Sequence, residues 1–354
     1  MDLKDITEEE IEDIYNSINL PKDYNTISPS SLKKYVQMCQ LAYFFDYVKK
    51  WKFSFSTPEL ELGTSLHSAF EKLNRKKAFD KTRSKEELLS DFKSSWEENK
   101  DNINFKDAEK TQEKIKKAGD IGEGLVERYI ESYLAKSLKP VFHKPLNQSL
   151  YVPAVEMEID IPIYSFKRDQ VLHDDYHVKG YIDLVAESTK KTRLYDEGKV
   201  LVLDYKSAAE DWKKFTVQTD LQILIYSYSI RYILKVLKTL DLPNQKEDYV
   251  GIITLIKKKK TLKKDSPWGK VRTHLIKIED EEIFYLENLL DQVVRRIKES
   301  GDDPKNYIPS PSQRNCTNCP YQSPCLMVRK GADNQDLDEW FSRNKKKFKK
   351  RKGR

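Results

Sequence analysis

Apolar residues recur at helical spacing through the first part of the chain and shift to strand-like alternation near residue 148. Ser28-Pro29-Ser30-Ser31 precedes a run with apolar Leu32, Tyr35, Val36, Leu41, Phe44 and Phe45. A serine cap and a proline in the first turn predict a helix starting near Pro29, with Cys39 inside it. A second helix is predicted from Leu62 to about Lys77, containing Gly63, His67 and Phe70. Residues 80–137 are highly charged, with Leu88, Leu89, Phe92 and Trp96, then Leu125, Tyr129 and Tyr133, at helical intervals. They predict a helical subdomain.

Leu150–Ile163 and Val178–Glu187 alternate as strands do, and Val200–Leu203 is a short continuous apolar run, as in a central buried strand. Phe215–Leu240 predicts one long helix, Tyr249–Ile256 and Val271–Ile278 two more strands, and Glu279–Lys298 a further helix. The order predicts a mixed α/β core inside helical decoration.

Charge refines this picture more than composition does. The net charge is +7, but the last ten residues hold eight Lys or Arg and no acid, so the rest of the chain is nearly neutral. Such a basic run is usually disordered and touches phosphates weakly, or is simply a solvated tail. The first residues are acidic, with Asp2, Asp5, Glu8, Glu9, Glu10, Glu12 and Asp13 against Lys4 alone, and show no basic start or apolar run of a secretory signal. No run of 18 apolar residues occurs. The expectation is an intracellular, cytoplasmic protein, at the nucleoid or in a phage-infected cell, with no membrane partner and no secretion.

Candidate chemistry sits at the strand ends. Gly180-Tyr181-Ile182-Asp183 is followed, across a turn-rich gap, by Asp204-Tyr205-Lys206. Residues i and i+2 of a strand share a side, so Asp204 and Lys206 project together and Tyr205 points away. A loop across 188–198 would bring Asp183 beside Asp204. Two neighbouring carboxylates repel unless a cation lies between them, and Mg2+ or Mn2+ with oxygen ligands would fill that place. It would polarise a phosphate and acidify a water, with Lys206 orienting that water or neutralising developing charge. The plain alternative is a salt bridge at a strand end.

Four short motifs in order resemble those of the RecB-type nucleases of the PD-(D/E)XK superfamily. G-x-x-x-H matches Gly63–His67, G-x-I-D matches Gly180–Asp183, D-x-K matches Asp204–Lys206, and Q-x-x-x-Y matches Gln222–Tyr226. The likeness spans roughly residues 27–328. It implies a restriction-endonuclease-like core, a mixed β-sheet flanked by helices. It implies His67, Asp183, Asp204 and the main-chain carbonyl of Tyr205 as metal ligands and Lys206 as the catalytic lysine. Gln222 and Tyr226, one helical turn apart, would line the site and help place Lys206 or the DNA strand. Gln218 competes with Gln222 for the glutamine role but is out of register with Tyr226. Read alone, His67 is an ordinary core histidine and Tyr226 an ordinary core tyrosine.

The four cysteines are Cys39, Cys316, Cys319 and Cys325. The last three lie in a short segment with Pro309, Pro311, Pro320 and Pro324, and Cys39 is the only other thiol. Soft thiolates select zinc or iron–sulfur clusters, and zinc modules ordinarily use two local pairs. Free buried thiols are the remaining reading. The one-plus-three spacing resembles AddB-type and CRISPR-adaptation nucleases and some eukaryotic single-strand exonucleases, which implies a 4Fe–4S cluster. Many relatives place proline after the first cysteine, where this chain has Gln40. Such a cluster would join the first helix to the C-terminal segment and close a loop of nearly the whole chain, a structural role.

The expected organisation is an acidic lead-in over 1–26, a helical region with Cys39 and the His67 motif over 27–147, the α/β nuclease core over 148–300, a cluster-binding segment over 301–330, and a basic tail over 331–354. The expected function is a divalent-metal-dependent DNA exonuclease acting on single strands or ends, in recombination, repair or phage DNA metabolism. The alternatives are a non-catalytic DNA-end-binding scaffold of a helicase–nuclease or recombination complex, or a nuclease that processes CRISPR spacers. No G-x-x-x-x-G-K-[ST] phosphate loop occurs, so ATP-driven unwinding would need a helicase or recombinase partner.

Overall fold

The computed structural model describes residues 24–350 apart from 54–55, 104–107, 146–150, 241, 243–246, 260–267, 318 and 346–347. The acidic lead-in up to residue 23, Leu150 and the last four residues of the basic run lie outside the described residues. In chain order the elements are β1 (Asn25–Ile27), α1 (Pro29–Lys33), α2 (Gln40–Tyr43), β2 (Trp51–Phe53), α3 (Pro58–Ala78), α4 (Lys85–Lys100), α5 (Ala108–Glu131) and α6 (Tyr133–Ser137). There follow β3 (Leu138–Pro140), β4 (Phe142–His143), β5 (Val152–Pro153), β6 (Val155–Ser165), β7 (Gln170–Ser188), β8 (Val200–Ala208), α7 (Lys214–Gln218), α8 (Leu221–Tyr232), β9 (Tyr249–Lys259) and β10 (Trp268–Ile276). The chain ends with α9 (Asp280–Ser300), α10 (Gln313–Cys316), α11 (Gln322–Arg329), α12 (Asn334–Arg343) and β11 (Phe348–Lys350). No described helix is long and apolar enough to cross a membrane.

Two compact units divide the chain discontinuously. The first takes in 56–159 and 181–283, and its heart is a mixed sheet. β7 and β8 are antiparallel with Leu184 against Leu203, β8 and β9 are parallel, and β9 and β10 are antiparallel. β8 is central, and Val200, Leu201, Val202 and Leu203 are fully buried, as a continuous apolar run requires of a strand covered on both faces. Over it lie α3, α4 and α5, whose Leu66, Phe70, Phe92, Leu125 and Tyr129 form one cluster with Leu203, Tyr205 and Ile253.

Local chemistry sets the helix ends in this unit. Thr57 accepts from the N–H of Leu60 and Pro58 follows it, starting α3 four residues before the expected Leu62. Ser84 and Glu87 form a capping box for α4. A Cβ at Gly122 of α5 would stand 2.0 Å from the Phe92 ring, so that position needs the bare backbone for the helices to meet. The expected single helix over 215–240 is interrupted. α7 ends at Gln218, and Asp220 caps α8 by accepting from the Gln222 N–H at 2.8 Å. An Asp side chain that bonds the backbone two residues on competes with helix continuation, and here it restarts the helix.

The second unit takes in 21–55, 160–180 and 284–354. β1 runs parallel to β7, Asn25 opposite Tyr176. Tyr24 donates its hydroxyl to Asp160 at 2.6 Å and stacks on His177, which reaches the same carboxylate at 2.7 Å. The helix expected from Pro29 is broken: α1 passes into a π-helical turn over Lys34–Met38, and Cys39 is extended (φ −159, ψ 119) before α2 begins. Cys39 therefore sits at a break between helices and not within one. The basic run is ordered where it is described, since β11 pairs with β2, Phe348 opposite Phe53.

Candidate active site

β8 carries Asp204, Tyr205 and Lys206 out of the buried apolar run with the alternation a strand imposes. Asp204 is buried, and Lys206 lies over it, its ammonium donating to Oδ1 at 3.0 Å and standing 2.8 Å from Oδ2. Tyr205 points the other way, into the aromatic group of Phe70 and Tyr129. Its hydroxyl contacts the Tyr129 hydroxyl at 2.7 Å and accepts from the Asn74 amide at 2.9 Å.

α3 presents His67, Phe70 and Asn74 along one face, at intervals of three and four. The His67 Nε2 lies 2.9 Å from the carbonyl oxygen of Tyr205. One helix thus meets Tyr205 at its main chain through His67, across its ring through Phe70, and at its hydroxyl through Asn74.

β7 supplies Asp183, one position beyond the Leu184–Leu203 pair. Its Oδ2 accepts from the Tyr205 N–H at 2.7 Å and stands 3.4 Å from His67 Nδ1. The loop across 188–198 does bring Asp183 beside Asp204, but in the middle of β8, which runs on to Ala208, and not at a strand end as expected.

β6 adds a residue the sequence did not reveal. Glu156 places Oε1 3.7 Å from His67 Nδ1, and one donor atom from each of His67, Glu156 and Asp183 lies within 4.8 Å of the others. Glu156 has φ +49, a left-handed conformation inside a strand. That costs a residue with a Cβ about 1–2 kcal/mol, and such strain collects where a side chain has to be aimed. The alternation Val155-Glu156-Met157-Glu158-Ile159 looks like any half-buried strand, and nothing in it signals a left-handed residue.

α8 supplies Gln222 and Tyr226 from one face. Gln222 Nε2 donates to Asp204 Oδ1 at 2.8 Å and to the Tyr226 hydroxyl at 2.7 Å, and that hydroxyl reaches the same Oδ1 at 3.3 Å. Gln218 is exposed on α7, and no hydrogen bond ties it to Asp204. The break at Asp220 sets this geometry, because it starts α8 with Gln222 in its first turn.

The electrostatics are those of a crowded carboxylate site. Burial pushes Asp183 up, and Asp204 beside it pushes it further, against the pull of His67. Burial works against protonation of His67, but Asp183, Glu156 and Asp204 outweigh it and raise its pKa. Lys206 is likewise disfavoured by burial and then raised by Asp204 and Asp183. Asp204 Oδ2 is buried and has no hydrogen-bond partner among the described residues, and the Lys206 ammonium stands 2.8 Å from it as an ion pair. Buried carboxylates with an oxygen left over suit a hard divalent cation, which takes oxygen donors and keeps several waters. The 2.9 Å hydrogen bond between His67 Nε2 and the Tyr205 carbonyl sets these two candidate donors side by side. Side-chain exposure is 31% at His67, 26% at Glu156 and 28% at Lys206, against 7% at Asp183 and 1% at Asp204. The site is therefore open to solvent at His67, Glu156 and Lys206, with the two aspartates behind them.

In the second unit all four cysteines are free thiols. Burial pushes Cys319 up, and the charges of Cys39 and Cys316 push it further. Burial also raises Cys325, with Cys39, Cys319 and Cys316 adding to it. The Asn315 amide donates to the Met38 carbonyl at 2.9 Å, so the residues before Cys316 and Cys39 are bonded to each other. No three of the sulfurs lie within 4.8 Å of one another. A single tetrahedral zinc would hold thiolates about 3.8 Å apart, so the thiols are not set for that ion.

A candidate exonuclease of Eubacterium rectale, known from a crystal structure, is similar over 92% of this chain and 98% of its own, at 14% identity and a TM-score of 0.42. Among curated proteins none matches. The sequence profile of the PD-(D/E)XK nuclease superfamily, whose members are metal-dependent phosphodiester hydrolases, matches residues 26–326. With that span and this sheet, the chain belongs to the PD-(D/E)XK nuclease superfamily.

Proposed function

We propose that the chain is a divalent-metal-dependent deoxyribonuclease acting on single-stranded DNA or DNA ends, in recombination, repair or phage DNA metabolism. The observation that carries this reading is the convergence on Asp204 of Lys206, Gln222 and Tyr226, beside Asp183 and His67. A purely structural salt bridge at a strand end needs none of the last four.

His67, Asp183, Asp204 and the Tyr205 carbonyl are the groups that would hold Mg2+ or Mn2+. When bound, the ion supplies Lewis-acid charge to the scissile phosphate and to the attacking water. Gln222 and Tyr226 fix Oδ1 of Asp204, and Oδ2 faces the Lys206 ammonium at 2.8 Å. Lys206, paired with Asp204 and partly exposed, offers a fixed positive charge to a phosphate oxygen as negative charge develops. Tyr205 is clamped on its far side, so its carbonyl is held in place before substrate arrives.

A 4Fe–4S cluster on Cys39, Cys316, Cys319 and Cys325 is part of this proposal, and what supports it is the one-plus-three spacing of the four thiols in the sequence. Unwinding would fall to a helicase or recombinase partner, because the chain has no phosphate loop.

Digestion of end-labelled single- and double-stranded DNA with Mg2+ or Mn2+ tests the reading. Stepwise shortening of labelled strands that stops on chelation is expected. Tight binding with no cleavage under either metal would turn the assignment to an end-binding scaffold.

A further inference from the structure

The proposed ligand set leaves Glu156 without a role. It lies at the mouth of the site, its only ion-pair partner among the described residues is His67, and its backbone is held left-handed inside a strand. His67 shows its two ring nitrogens to different groups: Nε2 faces the Tyr205 carbonyl and Nδ1 faces Glu156 and Asp183. A histidine that ligates through Nε2 must carry its proton on Nδ1, and that proton needs an acceptor. Asp183 is nearer, but its Oδ2 already accepts the Tyr205 N–H at 2.7 Å, and the same carboxylate is wanted by the cation. Glu156 has no such competing bond among the described residues.

We infer that Glu156 is a positioning residue that accepts the Nδ1 proton of His67 and so turns Nε2 toward the divalent cation. This rests on the metal-site reading above. A carbonyl only accepts, so the 2.9 Å contact puts a proton on Nε2 in the metal-free protein; that proton leaves to solvent when Nε2 takes the cation, while the one on Nδ1 stays and is shared with the Glu156 carboxylate. The 3.7 Å separation shortens to a hydrogen bond once Nε2 is engaged, as contacts around a catalytic group often do when its ligand binds. The left-handed backbone aims the carboxylate at the ring, which explains why the strand tolerates it.

Titration calorimetry of the metal-free protein with Mn2+, and nitrogen NMR of the His67 ring with Mg2+ bound, test this. The wild type is expected to show an Nδ1–H tautomer with a slowly exchanging proton. Glu156→Ala should bind Mn2+ ten- to a hundredfold more weakly and lose that protected proton. Glu156→Gln keeps an acceptor oxygen and should recover most of both. Glu156→Gly removes the carboxylate and relieves the backbone, so it should melt no lower than wild type while binding metal as weakly as the alanine variant. Unchanged affinity and tautomer in the alanine and glycine variants would overturn the inference and leave Asp183 as the acceptor. Failure of the wild type itself to bind Mn2+ would instead overturn the metal-site reading.

Discussion

The Asn74 amide donates to the Tyr205 hydroxyl at 2.9 Å, on the same helix face whose His67 meets the carbonyl of that residue. Tyr205→Phe leaves Asn74 and Tyr129 each without its partner in a buried site. A loss of about 1–3 kcal/mol is expected in urea denaturation. The double variant with Asn74→Leu should cost less than the sum of the singles, because both remove one bond. Strict additivity would show that the Asn74–Tyr205 bond contributes nothing.

Asp204→Ala removes the carboxylate on which three side chains converge. Cleavage is expected to fall by at least about a thousandfold, while binding of single-stranded DNA changes little. Single-turnover digestion with a parallel binding titration separates the two. A fully active variant is incompatible with the proposed site.

Gln222 and Tyr226 hold the same oxygen at 2.8 and 3.3 Å, so their removal should not be equivalent. Gln222→Ala frees Asp204 to turn and should lower kcat by about a hundredfold, the scale of a misplacement of about 1 Å. Tyr226→Phe keeps the ring and the Gln222 bond to Asp204, and its effect should be much smaller. The reverse order would mean that the tyrosine sets the carboxylate.

His143 is buried, its Nε2 has no hydrogen bond, and burial lowers its pKa to about 4. Its folded value lies below the unfolded value of about 6.5, so the unfolded chain binds the proton more readily between them. Stability from this group is full above about pH 6.5 and falls as the pH drops toward 4, by up to about 3 kcal/mol. His143→Phe should flatten that part of the melting-temperature profile. An unchanged acid limb would show that the histidine is hydrated in solution.

Anaerobically purified protein should be brown and hold about four iron atoms per chain. Cys319→Ala should bleach it, lower its melting temperature, and reduce activity only through that loss of stability. Colourless protein with one zinc per chain would remove the cluster from the proposal.

Much of this site was legible because strands and helices have fixed periods. Asp204 and Lys206 had to share a side, Tyr205 had to face away, and Gln222 and Tyr226 had to stack one turn apart. The break before Gln222 was less visible, since the apolar spacing of 215–240 continues across it; the Thr219-Asp220 pair was the only local cue. Cys39 was read as helical for the same reason, although the chain passes through a π-helical turn to an extended residue there. Glu156 was not legible at all. Its importance lies in one positive φ and a distance to a residue 89 positions earlier, and neither leaves a trace in an alternating pattern.

The hold of α3 on both ends of Tyr205 bears on how far this protein can be dissected. A truncated protein starting at the first long strand would retain both aspartates and the lysine, and would look complete by motif. It would lack His67, Phe70 and Asn74, leaving the carbonyl of Tyr205 free to swing and its ring open to water. Such a fragment should prove inert and poorly soluble, which on the proposed function would make the early helices part of the catalytic machine and not an accessory to it.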